Sequence, residues 1–328
     1  MINDYIVTPS DRDAFVRCPR AWGFSSKTRQ ALEPVVPSVA FDLERAVRDA
    51  LAVYYFPGMW TWNRGVVSPL VLQGFERSLR GQRKRYSEVA DLGSDDEATL
   101  ERYLEVGRDL LSRYMGWAPE YDLLWPLRVE TDFDVHIPDA EHPGLELATP
   151  EGRAMHYQGR VDMLMSDSDD ARWIVCHRLT EDAFTSVDLL RLDEVGLGCA
   201  WGWQNDNLIP ITGVLYNELR LQGAPAFRRA FVARSSEEMA AFGARLSATA
   251  KEMVDPEVSL APRPTPEHCS ICAFKGPCLA LNEGSDPRSL LSSDYRQRPE
   301  DEWVEGRLGS MSWSMSRGAA PPRFDKRA

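Results

Sequence analysis

Long apolar runs are missing from this 328-residue sequence, and none approaches the roughly 20 residues that a membrane-spanning helix needs. The opening Met1-Ile2-Asn3-Asp4-Tyr5 also lacks the basic and apolar character of a secretory leader. The expected setting is therefore cytoplasmic, with no membrane partner. Positive charge is in short supply: 38 Lys and Arg face 50 Asp and Glu, a formal net charge of −12. That balance excludes a uniformly basic nucleic-acid binder but leaves room for a local basic channel. No internal repeat is visible, which sets aside solenoids and propellers. Cysteines number only six. In a reducing compartment, clustered cysteines point to metal rather than to disulfides.

What is present begins with the placement of those cysteines. Cys269, Cys272 and Cys278 form a Cys-x2-Cys-x5-Cys cluster flanked by Pro266, Gly276 and Pro277, and Cys18 stands far upstream in Arg17-Cys-Pro-Arg-Ala-Trp22. A thiolate triplet wants a fourth ligand, because tetrahedral zinc and cubane iron–sulfur sites both usually take four. If Cys18 is that ligand, one centre ties the first turns of the fold to its last and closes a very long loop. His268 is a possible substitute in a zinc site, although a residue beside a ligand is more often its neighbour. Spacing alone does not separate zinc from iron. Cys176 and Cys199 read as core residues.

A hydrophobic content of 43% and ten tryptophans suffice for a real core, and the length suits one large domain with an insertion or two smaller domains. Thr8-Pro-Ser-Asp11 reads as a helix start, and Pro19 as the start of a second helix with Cys18 at its N-cap. Residues 38–120 read as mainly helical, including a helix over 39–55 and one opened by a capping box of Ser94 and Glu97. The pattern then changes to strands at 126–137, 156–165 and 172–179, the last two forming a hairpin. A helix over 188–203 and a strand over 209–219 follow. Ser235 and Glu238 form a second capping box. Residues 283–328 read as a polar, mostly irregular tail. The fold class is therefore α+β, with a core sheet over 126–220 and a helical insertion at 38–120. Arg77, Arg80, Arg83, Lys84 and Arg85 make one basic cluster; Arg228, Arg229 and Arg234 make a looser second one.

A helix ending in Cys-Pro, the strand Gly159-Arg-Val-Asp162 and the closing cysteine knuckle together resemble the RecB-type PD-(D/E)XK nucleases with an iron–sulfur staple, of the CRISPR-associated exonuclease kind. The resemblance spans about Pro9 to Leu281, and Ile211–Arg220 is similar to the strand after that family's core helix. It implies a restriction-endonuclease-like core sheet in a domain over 1–282, its cluster-binding ends at 18 and 266–280. It also implies that Cys18, Cys269, Cys272 and Cys278 ligate a [4Fe-4S] cluster, with zinc as the alternative. The implied partner is DNA, single-stranded or at ends, with repair, phage or CRISPR-type proteins as further partners.

The catalytic positions depart from that pattern. The family hydrolyses phosphodiesters with Mg²⁺ or Mn²⁺ held by an Asp on one strand and by Asp/Glu-x-Lys on the next; hard cations need such oxygens. Asp162 matches the first acid. Cys176 and Arg178 fall where the second acid and the lysine belong, and Arg48 falls where an upstream helical His is expected. Thiolate is a poor Mg²⁺ ligand, and arginine does not act as a base. Asp162 is then expected to bind backbone or to pair with Arg178. Arg48, Arg178, Arg83, Lys84 and Arg85 are the candidate DNA contacts. The resemblance thus implies a DNA-binding protein with catalysis lost or impaired. The alternatives are an active nuclease whose acid has moved to Glu130, Asp132, Asp134, Glu181 or Asp182, and a protein-interaction scaffold.

Overall fold

The computed structural model describes residues 4–35, 39–223 and 226–298. The chain opens with β1 (Tyr5–Val7) and two short helices, α1 (Pro9–Arg17) and α2 (Pro19–Ser25). Thr8 caps α1 by accepting from the Asp11 amide at 3.1 Å, and Pro9 fills the first helical position, where no amide is needed. Cys18 ends α1 and caps α2 in an extended conformation, with no capping bond from its side chain. Its thiol is not spent on the backbone. After β2 (Leu32–Pro34) come α3 (Leu43–Tyr54), a single 3-10 turn at Pro57–Met59, α4 (Arg64–Val89) and α5 (Ser94–Tyr121). The helical reading of 38–120 is this group. The box opening α5 lies one residue earlier than expected: the Gly93 amide donates to Asp96, while Glu97 turns to Arg83.

Next come β3 (Trp125–His136), β4 (Met155–Ser166) and β5 (Arg172–Thr180). The single helix expected over 188–203 is two helices, α6 (Val187–Arg191) and α7 (Glu194–Asn207), because Asp193 caps the second by accepting from the Gly196 amide. Then follow β6 (Gly213–Arg220), β7 (Ala226–Ala233) and α8 (Ser236–Val254), the last opened by the Ser235–Glu238 box read from sequence. The knuckle forms α9 (Pro266–Ser270) and α10 (Lys275–Asn282). Where composition suggests an irregular tail, α11 (Arg288–Asp294) and β8 (Tyr295–Gln297) follow, and β8 pairs antiparallel with β2. The tail from 299 onward lies outside the described residues.

The architecture is α+β, built on a mixed six-stranded sheet. β4 is its pivot. One edge of β4 pairs antiparallel with β3 along its length. The other edge is shared: β1 runs parallel to Met155–Tyr157, and β5 runs antiparallel to Met163–Ser166. Among the described residues no strand pairs with that edge between 158 and 162, so β4 and β5 diverge there as a fork. β5 pairs parallel with β6, with α6 and α7 as the crossover, and β7 closes the far edge. One face of the sheet buries Tyr157, Trp203 and Phe242 with α7 and α8; the other buries Leu51, Phe75 and Leu111 with α3–α5. The helix α7 lies close on the sheet because Gly198 and Gly202 are small. A Cβ there would stand 2.5 Å from the Tyr157 hydroxyl and 2.4 Å from the Phe133 ring, respectively.

Candidate functional site

Period-2 geometry puts alternate residues of a strand on opposite faces. β4 breaks that rule at Asp162. Tyr157 and Val161 pack with the α7 face, yet Met163 and Met165, also odd-numbered, pack with the α3–α5 face. β3 turns over at the same level, with Phe133 and Val135 on the first face and Val129 on the second. At the hinge Glu130 adopts φ +48°, a left-handed conformation that a non-glycine side chain disfavours. Glu130 lies between the pairs Val129↔Met163 and Thr131↔Val161, opposite Asp162. The two carboxylates therefore meet where both strands twist and the fork opens.

Asp162 accepts a hydrogen bond from the His177 amide at 2.8 Å. It does not pair with Arg178 as the sequence suggested; Arg178 donates to Asp193 at 2.6 Å and stacks over Tyr216. The reason is reach: Arg178 points to the α7 face, where the α7 cap offers a carboxylate already fixed by the Gly196 amide and the Tyr216 hydroxyl. Burial raises the Asp162 carboxyl, while Arg48 and the His177 amide favour its charge. Burial also raises Glu44, with Arg48 opposing. Glu130 is pushed up to about 7, first by burial and then by the Asp162 charge, with Arg160 at 3.3 Å pulling back. Cys176 is buried enough to hold its proton well beyond the usual thiol range, and Cys199 on α7 is pushed up to about 12 by burial and the Asp162 charge. A protonated thiol offers no anionic ligand. The site thus gathers Glu44 and Arg48 from α3, Glu130 from β3, Asp162 from β4, and Cys176 and Arg178 from β5.

The opposite side of β5 is closed by a buried polar network. His177 stacks on Tyr55 and meets the Asn217 amide through Nδ1 at 2.8 Å. Asn217 donates to Tyr114 at 3.0 Å, Tyr114 and Tyr55 share a hydrogen bond of 2.7 Å, and Arg229 bonds both hydroxyls and Asp122. Burial and the charges of Arg229 and Arg48 push His177 down to about 3, so it stays neutral. The basic candidates on α4 lie elsewhere: Arg83 is held by Glu97 at 2.6 Å, and Lys84 and Arg85 are exposed.

The four cysteines converge. Cys18, Cys269, Cys272 and Cys278 line one pocket of about 180 Å³ walled by Phe24 and Phe274. Burial raises the Cys272 thiol, the Phe274 amide lowers it, and the charges of Cys18, Cys269 and Cys278 add to the rise. The two aromatic walls stack at 5.3 Å, and Arg20 donates to the Cys278 sulfur at 3.7 Å. No disulfide joins any of the six cysteines. His268 lines the same pocket, and its Nε2 is buried without a hydrogen-bond partner. Four thiols in an apolar pocket with an orphaned donor suit a sulfur-bound inorganic group.

The fold and site together define an α+β protein with a forked central sheet and a four-thiol pocket joining its ends. No protein-family model matches the chain, and neither does any curated protein. Among solved structures it is similar to SSO0001, at 10% identity and a TM-score of 0.36 over 84% of this chain and 85% of that one. It is also similar to a structure named "Putative exonuclease" from Eubacterium rectale, at 11% identity and a TM-score of 0.48 over 83% of this chain and 87% of that one. At these scores neither likeness assigns a family or an activity. Among the described residues no helix is long and apolar enough to cross a membrane.

Proposed function

We propose that this chain is a nuclease-fold protein that engages DNA without cutting it, with a [4Fe-4S] cluster held by Cys18, Cys269, Cys272 and Cys278. The observation that carries the reading is the fork. Asp162 retains the acid, but the neighbouring strand presents a protonated thiol at Cys176, and its cation, Arg178, is bound to Asp193. Metal-assisted hydrolysis needs several carboxylate or water oxygens on one hard ion and a group that activates water. The fork offers the Arg48 guanidinium for phosphate instead, while Arg178 stays committed to Asp193. The cluster, when bound, supplies a rigid inorganic crosslink between the α1–α2 junction and the α9–α10 knuckle. Phe24 and Phe274 shield it.

A second reading keeps hydrolysis, with Glu130 as the displaced acid. Its position opposite Asp162, its left-handed backbone and its raised pKa favour it. One assay separates the two. Wild type, Asp162→Ala and Glu130→Gln are incubated with Mn²⁺ and labelled single-stranded DNA. No cleavage above a protein-free control is expected from any of them. Cleavage by wild type that both variants lose establishes the second reading. Fluorescence anisotropy on the same DNA should show affinity falling steeply with salt. Absence of binding at low salt leaves the fold as a scaffold for protein partners.

A further inference from the structure

A buried polar atom left without a partner costs free energy, so each such atom calls for a reason. Of the chain's five histidines, four meet a carboxylate or an amide through Nδ1: His136 meets Glu146, His142 meets Asp139, His156 meets Asp134 and His177 meets Asn217. His268 differs. Its Nε2 is buried and has no hydrogen-bond partner, and the residue lines the pocket shared by Cys18, Cys269, Cys272 and Cys278. Thr265 fixes the turn that carries it. The Thr265 hydroxyl accepts from the His268 amide at 3.1 Å, and the Thr265 carbonyl accepts from the Cys269 amide at 2.9 Å. The ring and the first thiol of the knuckle are thus set by one cap. A further donor reaches the same sulfurs, because Arg20 Nη1 lies 3.7 Å from Cys278 Sγ.

We propose that His268 tunes the group held by the four thiols: its Nε2–H donates a hydrogen bond to a cysteine or inorganic sulfur and makes that group easier to reduce. The assignment rests on the reading of the four thiols as ligands of an iron–sulfur cluster. Four thiolates complete the ligand set of such a cluster, which leaves the imidazole free to donate. Thiolate and sulfide sulfur accept and do not donate, so the nitrogen that faces them carries the proton. An electron taken up makes the sulfurs more negative, and a donor aimed at them favours that form; hydrogen bonds to sulfur are among the levers that set the potential. The apolar walls of Phe24 and Phe274 strengthen the effect, since a low local dielectric screens it less.

Redox titration with dithionite as the electron donor tests it, on anaerobically purified full chain followed at the cluster's absorbance band. His268→Phe keeps a flat ring without a donor, and His268→Gln keeps an N–H at similar reach. His268→Phe should retain the band and disfavour reduction about tenfold, a potential about 59 mV lower for one electron. His268→Gln should stay closer to wild type. An unchanged potential in His268→Phe overturns the proposal and leaves the cluster reading standing. Loss of the band from a folded His268→Phe also overturns it, because the ring is then a ligand. A colourless wild type overturns the cluster reading and this proposal with it. Should His268→Phe fail to fold, wild type labelled with heavy nitrogen at histidine decides. Pulsed EPR of the reduced protein should show one weak nitrogen coupling, carried through the hydrogen bond. No coupling, or the strong coupling of a ligating nitrogen, overturns the proposal.

Discussion

His177 does two things with two parts of itself. Its amide fixes Asp162, while its ring lies in the Tyr55–Asn217 network on the other side of the sheet. Because the ring is fully enclosed and faces Arg229 and Arg48, it remains neutral down to about 3. An unfolded imidazole takes up its proton near the ordinary value of 6.5. Between those values the unfolded chain binds more protons than the folded one, so stability is full above about pH 6.5 and falls as pH drops. From pH 7 to pH 5 the loss from this residue is about 2 kcal/mol. Urea midpoints at the two pH values should show it in wild type, and His177→Gln should show a smaller drop. At this scale the sequence was legible where chemistry and position coincide. The cysteine triplet stood out by its spacing, Cys18 was only a candidate fourth ligand, and Asp162 entered through the resemblance. Glu130 could not be ranked above Asp132 and Asp134, because nothing in a Val-Glu-Thr run announces a left-handed residue. The Arg178–Asp193 pair was hidden for a different reason: its partner sits on a helix cap, outside the strand.

Elements were read well where local signals are strong. The Ser235–Glu238 box and the alternation in β3, β4 and β5 fixed those boundaries to within a residue or two. β7 was not read as a strand. Its Arg228 and Arg229 look like a solvated basic group, yet Arg229 is buried under α5 and Arg228 pairs with the buried Glu218. Tertiary partners decided that segment. The consequence is that β7 is pinned to the helical layer by charge as well as by packing. Arg229→Met leaves the enclosed Asp122 carboxylate without its cation and with only the Tyr55 hydroxyl at 3.0 Å to satisfy it, which should cost about 3–5 kcal/mol in a urea titration. Adding Asp122→Asn should recover much of that loss, since an uncharged pair no longer carries the desolvation penalty.

For the whole molecule, the α+β class was legible from the shift between helical and alternating patterns. The meeting of Cys18 with the knuckle was an expectation that only three dimensions could test, since sequence distance carries no geometry. Cys18→Ala removes one sulfur without touching a capping bond. Anaerobically purified wild type should be brown, with absorbance near about 400 nm. The variant should lose that band and melt at a lower temperature, by about 3 kcal/mol or more of stability, because a bound inorganic group contributes folding energy directly. Unchanged colour in the variant would remove Cys18 from the ligand set.

The ends are also stitched a second time, by β2 and β8. This has a bearing on biogenesis. During translation Cys18 emerges first, and about 250 residues must follow before Cys269 leaves the ribosome, a wait of roughly 10–50 s at usual elongation rates. Within that interval the opening segment already gains partners, because β1 pairs with β4 and α1 packs against α7 and α8, all of which precede the knuckle. A nascent chain that stalls before residue 278 carries an incomplete four-thiol pocket, so the group proposed for it would be loaded only after the whole knuckle has emerged.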